Sequence, residues 1–252
     1  MPAAAEIVFI ALLGLLVGSF LNVVAYRLPR GESVVKPRSR CPSCGTEVRS
    51  RDNVPVVSWL LLRGRCRDCA APISVRYPLI EALTGALFAA VGLARGVDAE
   101  LALLLPFTAV LVAVAAIDLE HRIIPNKALL PAALWALAGW AVVDPGFLPE
   151  ALAAGAGAFL FFLIVALAYP AGMGMGDVKL AGVMGLYLGL SVVPGLLMAF
   201  AAGSIVGIAI IAREGGDARK KGVPFGPFLA LGGFVALLAG DELISLYADR
   251  FL

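Results

Sequence analysis

The chain has 252 residues, 61% of them hydrophobic and 15% charged, with a formal net charge of +2 and a mean hydropathy of +0.94. That balance excludes an ordinary soluble globular domain and marks an integral membrane protein. With so small a net charge, and no basic stripe interleaved with aromatics, nothing favours a nucleic acid as partner.

Short polar or Gly/Pro-bearing breaks divide the chain into eight apolar runs, each near the ~20 residues a helix needs to cross the hydrocarbon core. They cover 6–26, 79–94, 100–117, 128–143, 151–169, 178–192, 195–212 and 226–240. The expected fold class is an all-α polytopic membrane protein of about eight transmembrane helices, with a loop between the first and second. The first run has no basic residue before Glu6 and stays apolar to Tyr26, too long for a signal-peptide core. It reads as a retained helix, and Asn22 within it as an interhelical hydrogen-bonding group.

The loop 27–77 carries the chain's four cysteines as two CxxC pairs, Cys41 with Cys44 in "CPSCG" and Cys66 with Cys69 in "CRDCA". Four thiolates in that arrangement suit a closed tetrahedral zinc site, and a loop this poor in large apolar side chains would take much of its folding energy from such a clip. Two disulfides, a dithiol redox pair and a site that has lost its metal binding are the alternatives, the first disfavoured in a reducing compartment. With four protein ligands the zinc would be structural, with no open position for catalysis.

Further along, the third run ends in "AVAAIDLEHRIIPNK", which puts Asp118 where hydrocarbon meets water, and "ALAYPAGMGMGD" puts Asp177 just before the sixth run. Ionisable groups at this depth are costly and face a bundle interior or a wet cavity. Two carboxylates brought together there share one proton, so that one acts as base toward water and the other polarises a carbonyl. Gly174 and Gly176, beside Asp177, lack a Cβ and let backbone approach a ligand, which marks them as a substrate-proximal loop. Three readings remain open from spacing alone: a catalytic pair, a proton- or cation-coupled transport site, and plain interface residues with Asp177 as a helix N-cap. Lys179 is expected to snorkel to the surface.

The basic residues orient the chain. If the runs alternate and 27–77 faces the cytoplasm, eleven lysines and arginines lie in that loop. Seven more, Arg122, Lys127, Lys179, Arg213, Arg219, Lys220 and Lys221, fall on the same side, leaving only Arg95 and Arg250 opposite. Positive-inside bias then places the N-terminus outside and both aspartates at the cytoplasmic face, with the basic loop in contact with anionic lipid of the bilayer.

Seven motifs in order complete the reading: "GSFLNVVAYRLP" from Gly18, the two CxxC pairs, "SWLLLRGRCRDC" from Ser58, "SVRYPLIEALTG" from Ser74, "IDLEHRIIPN" from Ile117, "GMGDVKL" from Gly174 and "PFGPFLALGG" from Pro224. In these the chain resembles the bacterial type IV prepilin peptidases, bifunctional leader peptidases and N-methyltransferases of the GxGD class of intramembrane aspartic proteases. The resemblance implies that Asp118 and Asp177 are the catalytic pair and that prepilins and pilin-like precursors are the substrates. It implies residence in the bacterial inner membrane, and S-adenosylmethionine as methyl donor to the freed amine. It also implies a division into a first helix at 1–26, a four-cysteine zinc-binding loop at 27–77 that forms the methyltransferase part with the N-terminal region, and a peptidase core at 78–252. Glu81, an acid early in the second run, is a candidate for the methylation half or a first-turn residue favoured by the helix dipole.

Overall fold

A computed structural model describes residues 2–170, 172–214 and 223–251. Arg219, Lys220 and Lys221 of the basic set lie outside the described residues. Among the described residues the chain is helical, its only strand-like pairing being two isolated bridges, Arg40 with Glu47 and Arg65 with Pro72. It divides into two compact units, 1–101 and 102–252.

In the first unit, α1 (Ala4–Arg27) and α3 (Arg76–Arg95) are membrane-length helices, and the short α2 (Val57–Leu61) lies in the loop that joins them. The two long helices touch almost backbone to backbone. A Cβ on Gly14 would stand 2.8 Å from the Gly85 Cα, and one on Gly18 would stand 2.7 Å from the Glu81 Cα. Such small-residue seams replace the hydrophobic drive that lipid does not supply. Asn22 closes the seam by donating to the Tyr77 carbonyl at 3.1 Å, the interhelical bond its position suggested. On its other face α1 turns Phe9, Leu12 and Leu16 outward, as a lipid-facing helix does.

The second unit contains α4 (Leu101–His121), α5 (Asn126–Val143), α6 (Leu148–Ala168), α7 (Met175–Leu188), α8 (Val192–Glu214) and α9 (Gly226–Phe251). Helix α4 is the most buried, through Leu103, Phe107, Leu111, Val114 and Ile117. Phe107 stacks on Tyr187 of α7 with centroids 4.3 Å apart, and the Tyr187 hydroxyl donates to the Ala132 carbonyl of α5 at 2.8 Å. The Trp140 indole donates to the Leu186 carbonyl at 3.1 Å. Buried polar tips thus find backbone partners where no water reaches.

Seven helical stretches among the described residues are long and apolar enough to span a membrane, against the eight runs expected. The difference lies in the sixth and seventh runs, which form one stretch, Met175–Arg213. Helix α7 has only 14 residues, about 21 Å of rise. It ends at Gly189, whose φ of +55° suits glycine, and a 3-10 turn Gly189–Ser191 follows. The chain reverses there: Gly155 of α6 faces Gly185 and Leu186 of α7, whereas Gly195 and Gly203 of α8 face Gly232 and Phe228 of α9. Both pairs run antiparallel, and Ser191 Oγ donates to Asp241 Oδ1 at 2.5 Å near the far end of α9. Helix α7 therefore runs away from Asp177 and α8 returns. The last run also extends past 240, to Phe251, across a kink at Ala239.

Candidate active site and metal centre

Asp118 sits in the last turn of α4, 5% exposed. Its Oδ2 accepts the Gly226 N–H at 2.9 Å, across 108 residues of sequence, at the first residue of α9. Nothing larger than glycine fits at 226, because an added Cβ would stand 2.7 Å from Asp118 Oδ2 and 3.1 Å from its Cβ.

Asp177 is held by a matching bond. Helix α7 begins three residues earlier than its apolar run, at Met175, so the aspartate is not the N-cap but the third helical residue, with Gly174 as cap. Its Oδ2 accepts the Gly174 N–H at 3.1 Å, while its own N–H donates to the Gly174 carbonyl at 3.1 Å. This reciprocal box satisfies helix-end donors and fixes the carboxylate's direction.

The two acids meet at one end of the helices. A Cβ on Gly176 would stand 2.8 Å from the Ile124 Cβ, so the first turn of α7 packs directly on the segment leaving α4. Lys179 donates to Asn126 Oδ1 at 3.0 Å at an exposed position and ties the same two segments together. Each carboxylate has one oxygen tied to a glycine N–H, and the segments that carry the two acids pack together. Gly226 was missing from the sequence candidates; its signal was the glycine between two prolines in "PFGPF".

In the first unit the four cysteines come together, their sulfurs all within 4.8 Å of one another. Cys41 Sγ and Cys69 Sγ are 3.7 Å apart, close to the roughly 3.8 Å expected around a tetrahedral ion at 2.3 Å from each sulfur. The two CxxC turns are copies of each other. Cys41 N–H bonds the Thr46 carbonyl and Cys66 N–H the Ala71 carbonyl. Gly45 and Ala70, each just after the second cysteine, both take positive φ.

The N–H groups of Cys44 and Ser43 draw the Cys41 thiol down to about 6. At Cys69 the Ala71 N–H pulls the same way, yet burial and the neighbouring sulfurs push it up to about 12. Four thiols that cannot all ionise alone are a fitting cage for a dication.

Around the cage, Arg67 grips Asp52 through three contacts of 2.6 to 3.1 Å, and its side-chain bonding holds that carboxyl below its usual range. Glu81 is buried, and its Oε2 accepts the Val56 N–H at 2.7 Å. Val56 has φ +61°, so Glu81 pins a strained turn where the loop returns to the helices.

The Bacterial Peptidase A24 N-terminal domain matches residues 12–94, and the Type IV leader peptidase family matches residues 105–212. The chain is 38% identical to a prepilin leader peptidase/N-methyltransferase of Aeromonas hydrophila, over 96% of this chain and 93% of that protein. It is 35% identical to one of Bacillus subtilis, over 95% and 96% respectively. To one of Myxococcus xanthus it is 41% identical over 82% of this chain and 64% of that one. No solved structure matches the chain.

Proposed function

The chain belongs to the type IV leader peptidase family, and from that premise we infer that it cuts the leader from prepilins and pilin-like precursors and N-methylates the new terminus. It is a multi-pass membrane protein. The basic-residue distribution supports placing it in the bacterial inner membrane, N-terminus outside, with the cut made at the cytoplasmic face. The transporter alternative finds no support in the family.

What supports the reading is that Asp118 and Asp177 lie on segments that pack together, each with one oxygen held by a glycine N–H. One carboxylate removes a proton from water as the water oxygen adds to the scissile carbonyl carbon. The protonated partner gives its proton to the carbonyl oxygen. Collapse of the tetrahedral intermediate breaks the C–N bond, and the departing amine takes a proton back from the pair. Gly174 keeps the space beside Asp177 free of a side chain, while Gly176 gives room to Ile124.

Cys41, Cys44, Cys66 and Cys69 hold a structural zinc, which supplies folding free energy to the loop. S-adenosylmethionine, when bound, supplies the methyl group. Glu81, the acid expected in that half, has one carboxylate oxygen engaged in holding Val56.

The test is co-expression with a prepilin precursor, followed by mass spectrometry of the mature N-terminus. Wild type should yield a cleaved, singly methylated product. Asp118→Asn and Asp177→Asn should each reduce cleavage by at least about 10²-fold at normal membrane levels; retained cleavage in either variant removes the dyad.

A further inference from the structure

Helix α2 carries an apolar face that the loop around it leaves uncovered. Val57, Leu60 and Leu61 stand at the i, i+3 and i+4 spacing that puts them on one side of a helix, and all three are exposed, Leu60 by 61% and Leu61 by 78%. The other side is engaged with the loop's own backbone. Ser58 Oγ donates to the Arg51 carbonyl and accepts the Val54 N–H, both at 3.0 Å, and the Trp59 indole donates to the Ile73 carbonyl at 3.1 Å. A Cβ on Gly64 would stand 2.8 Å from the Trp59 ring. These contacts hold the helix with its apolar face outward.

The long helices set its depth. Tyr26 near the end of α1 and Tyr77 near the start of α3 are both exposed, the pattern of an aromatic belt at a membrane–water interface. Glu81 lies one turn beyond Tyr77 on α3, between Leu79 and Leu83, which face outward. Because Glu81 holds the Val56 N–H, the residue just before α2 is fastened where headgroups give way to hydrocarbon. The chain leaves α2 through Arg63 and Arg65, both exposed, and no acid stands between Asp52 and Asp68. Neither arginine has an ion-pair partner among the described residues.

We propose that α2 is an interfacial anchor whose partner is the lipid surface: Val57, Leu60 and Leu61 enter the acyl boundary, and Arg63 and Arg65 hold the phosphates of anionic phospholipids. An apolar face followed by cations at headgroup depth is the pattern of a segment lying in the membrane plane, and the guanidinium fork matches a phosphate. Cys66 follows Arg65 directly, so the anchor also holds the second CxxC turn against the headgroups. The inference stands on α1 and α3 as membrane helices and does not need the peptidase reading.

The experiment uses the full-length protein in proteoliposomes of equal parts phosphatidylcholine and phosphatidylglycerol, with photoreactive p-benzoylphenylalanine in place of Leu61, where an exposed side chain needs no repacking. After irradiation, mass spectrometry of the intact protein should show the gain of one phospholipid, phosphatidylglycerol exceeding phosphatidylcholine by about fivefold. Arg63→Gln combined with Arg65→Gln should bring that ratio close to one. A cross-link to another segment of this chain or to a second copy overturns the proposal, as does a probe that captures no lipid. A lipid ratio that is the same with and without the two arginines overturns it as well.

Discussion

At Gly226 a single methyl group would reach Asp118. The carboxylate is oriented by the N–H of this residue, and the added Cβ would stand inside van der Waals contact of both its Oδ2 and its Cβ. Either the acid turns away or the start of α9 shifts, and a displacement of about 1 Å at a reacting group can cost roughly 10²-fold in rate. Gly226→Ala is therefore expected to lower kcat/KM on a prepilin precursor by about that factor while thermal unfolding stays near wild type; cleavage within about threefold of wild type would refute it. Asp118 and Asp177 stand out in the sequence as candidates because a carboxylate at the edge of an apolar run is expensive and so conspicuous. Gly226 does not, because one glycine among 28 carries no chemistry of its own. Its role exists only once α9 begins against α4, a contact that no local pattern encodes.

Elements show the same contrast. Long apolar runs fixed α1 and α3 to α6 to within a few residues, since hydrocarbon thickness dictates their length. Helix α7 starts before its apolar run because the glycines that read as loop are its cap and first turn, and it ends earlier because the reversal turns on Gly189 and not on the break at Val193 and Pro194. The four-cysteine cluster was visible from cysteine spacing alone. Its attachment was not: Glu81 reads as a candidate for the methylation half or a first-turn acid, and neither reading points to the bond it makes with the Val56 N–H at 2.7 Å. Losing a partner for a half-buried N–H costs about 1–3 kcal/mol. Glu81→Leu should accordingly raise the hydrogen-exchange rate of the Val56 amide by roughly tenfold or more, while Glu81→Gln, which keeps an acceptor in place, should stay close to wild type. Equal exchange in Glu81→Leu and wild type would dissociate the acid from the loop.

For the whole molecule the governing asymmetry is electrostatic, because the peptidase reading requires the acid pair on the side where a precursor's leader is held. Eighteen of the twenty lysines and arginines fall on one side of the alternating runs, and the basic loop offers accessible cleavage points, the Arg38 side chain being 82% exposed. Moving that many cations across a bilayer during insertion is opposed at every one of them, which is the ground for the proposed orientation with the loop in the cytoplasm. Trypsin added to inverted inner-membrane vesicles should cut within 27–77 and release fragments recognised by their masses. Added to intact spheroplasts, it should leave that loop whole and reach only the opposite side, which carries Arg95. Cleavage of the loop in spheroplasts, with protection in inverted vesicles, would reverse the orientation and place Asp118 and Asp177 on the wrong face to meet a precursor before its export.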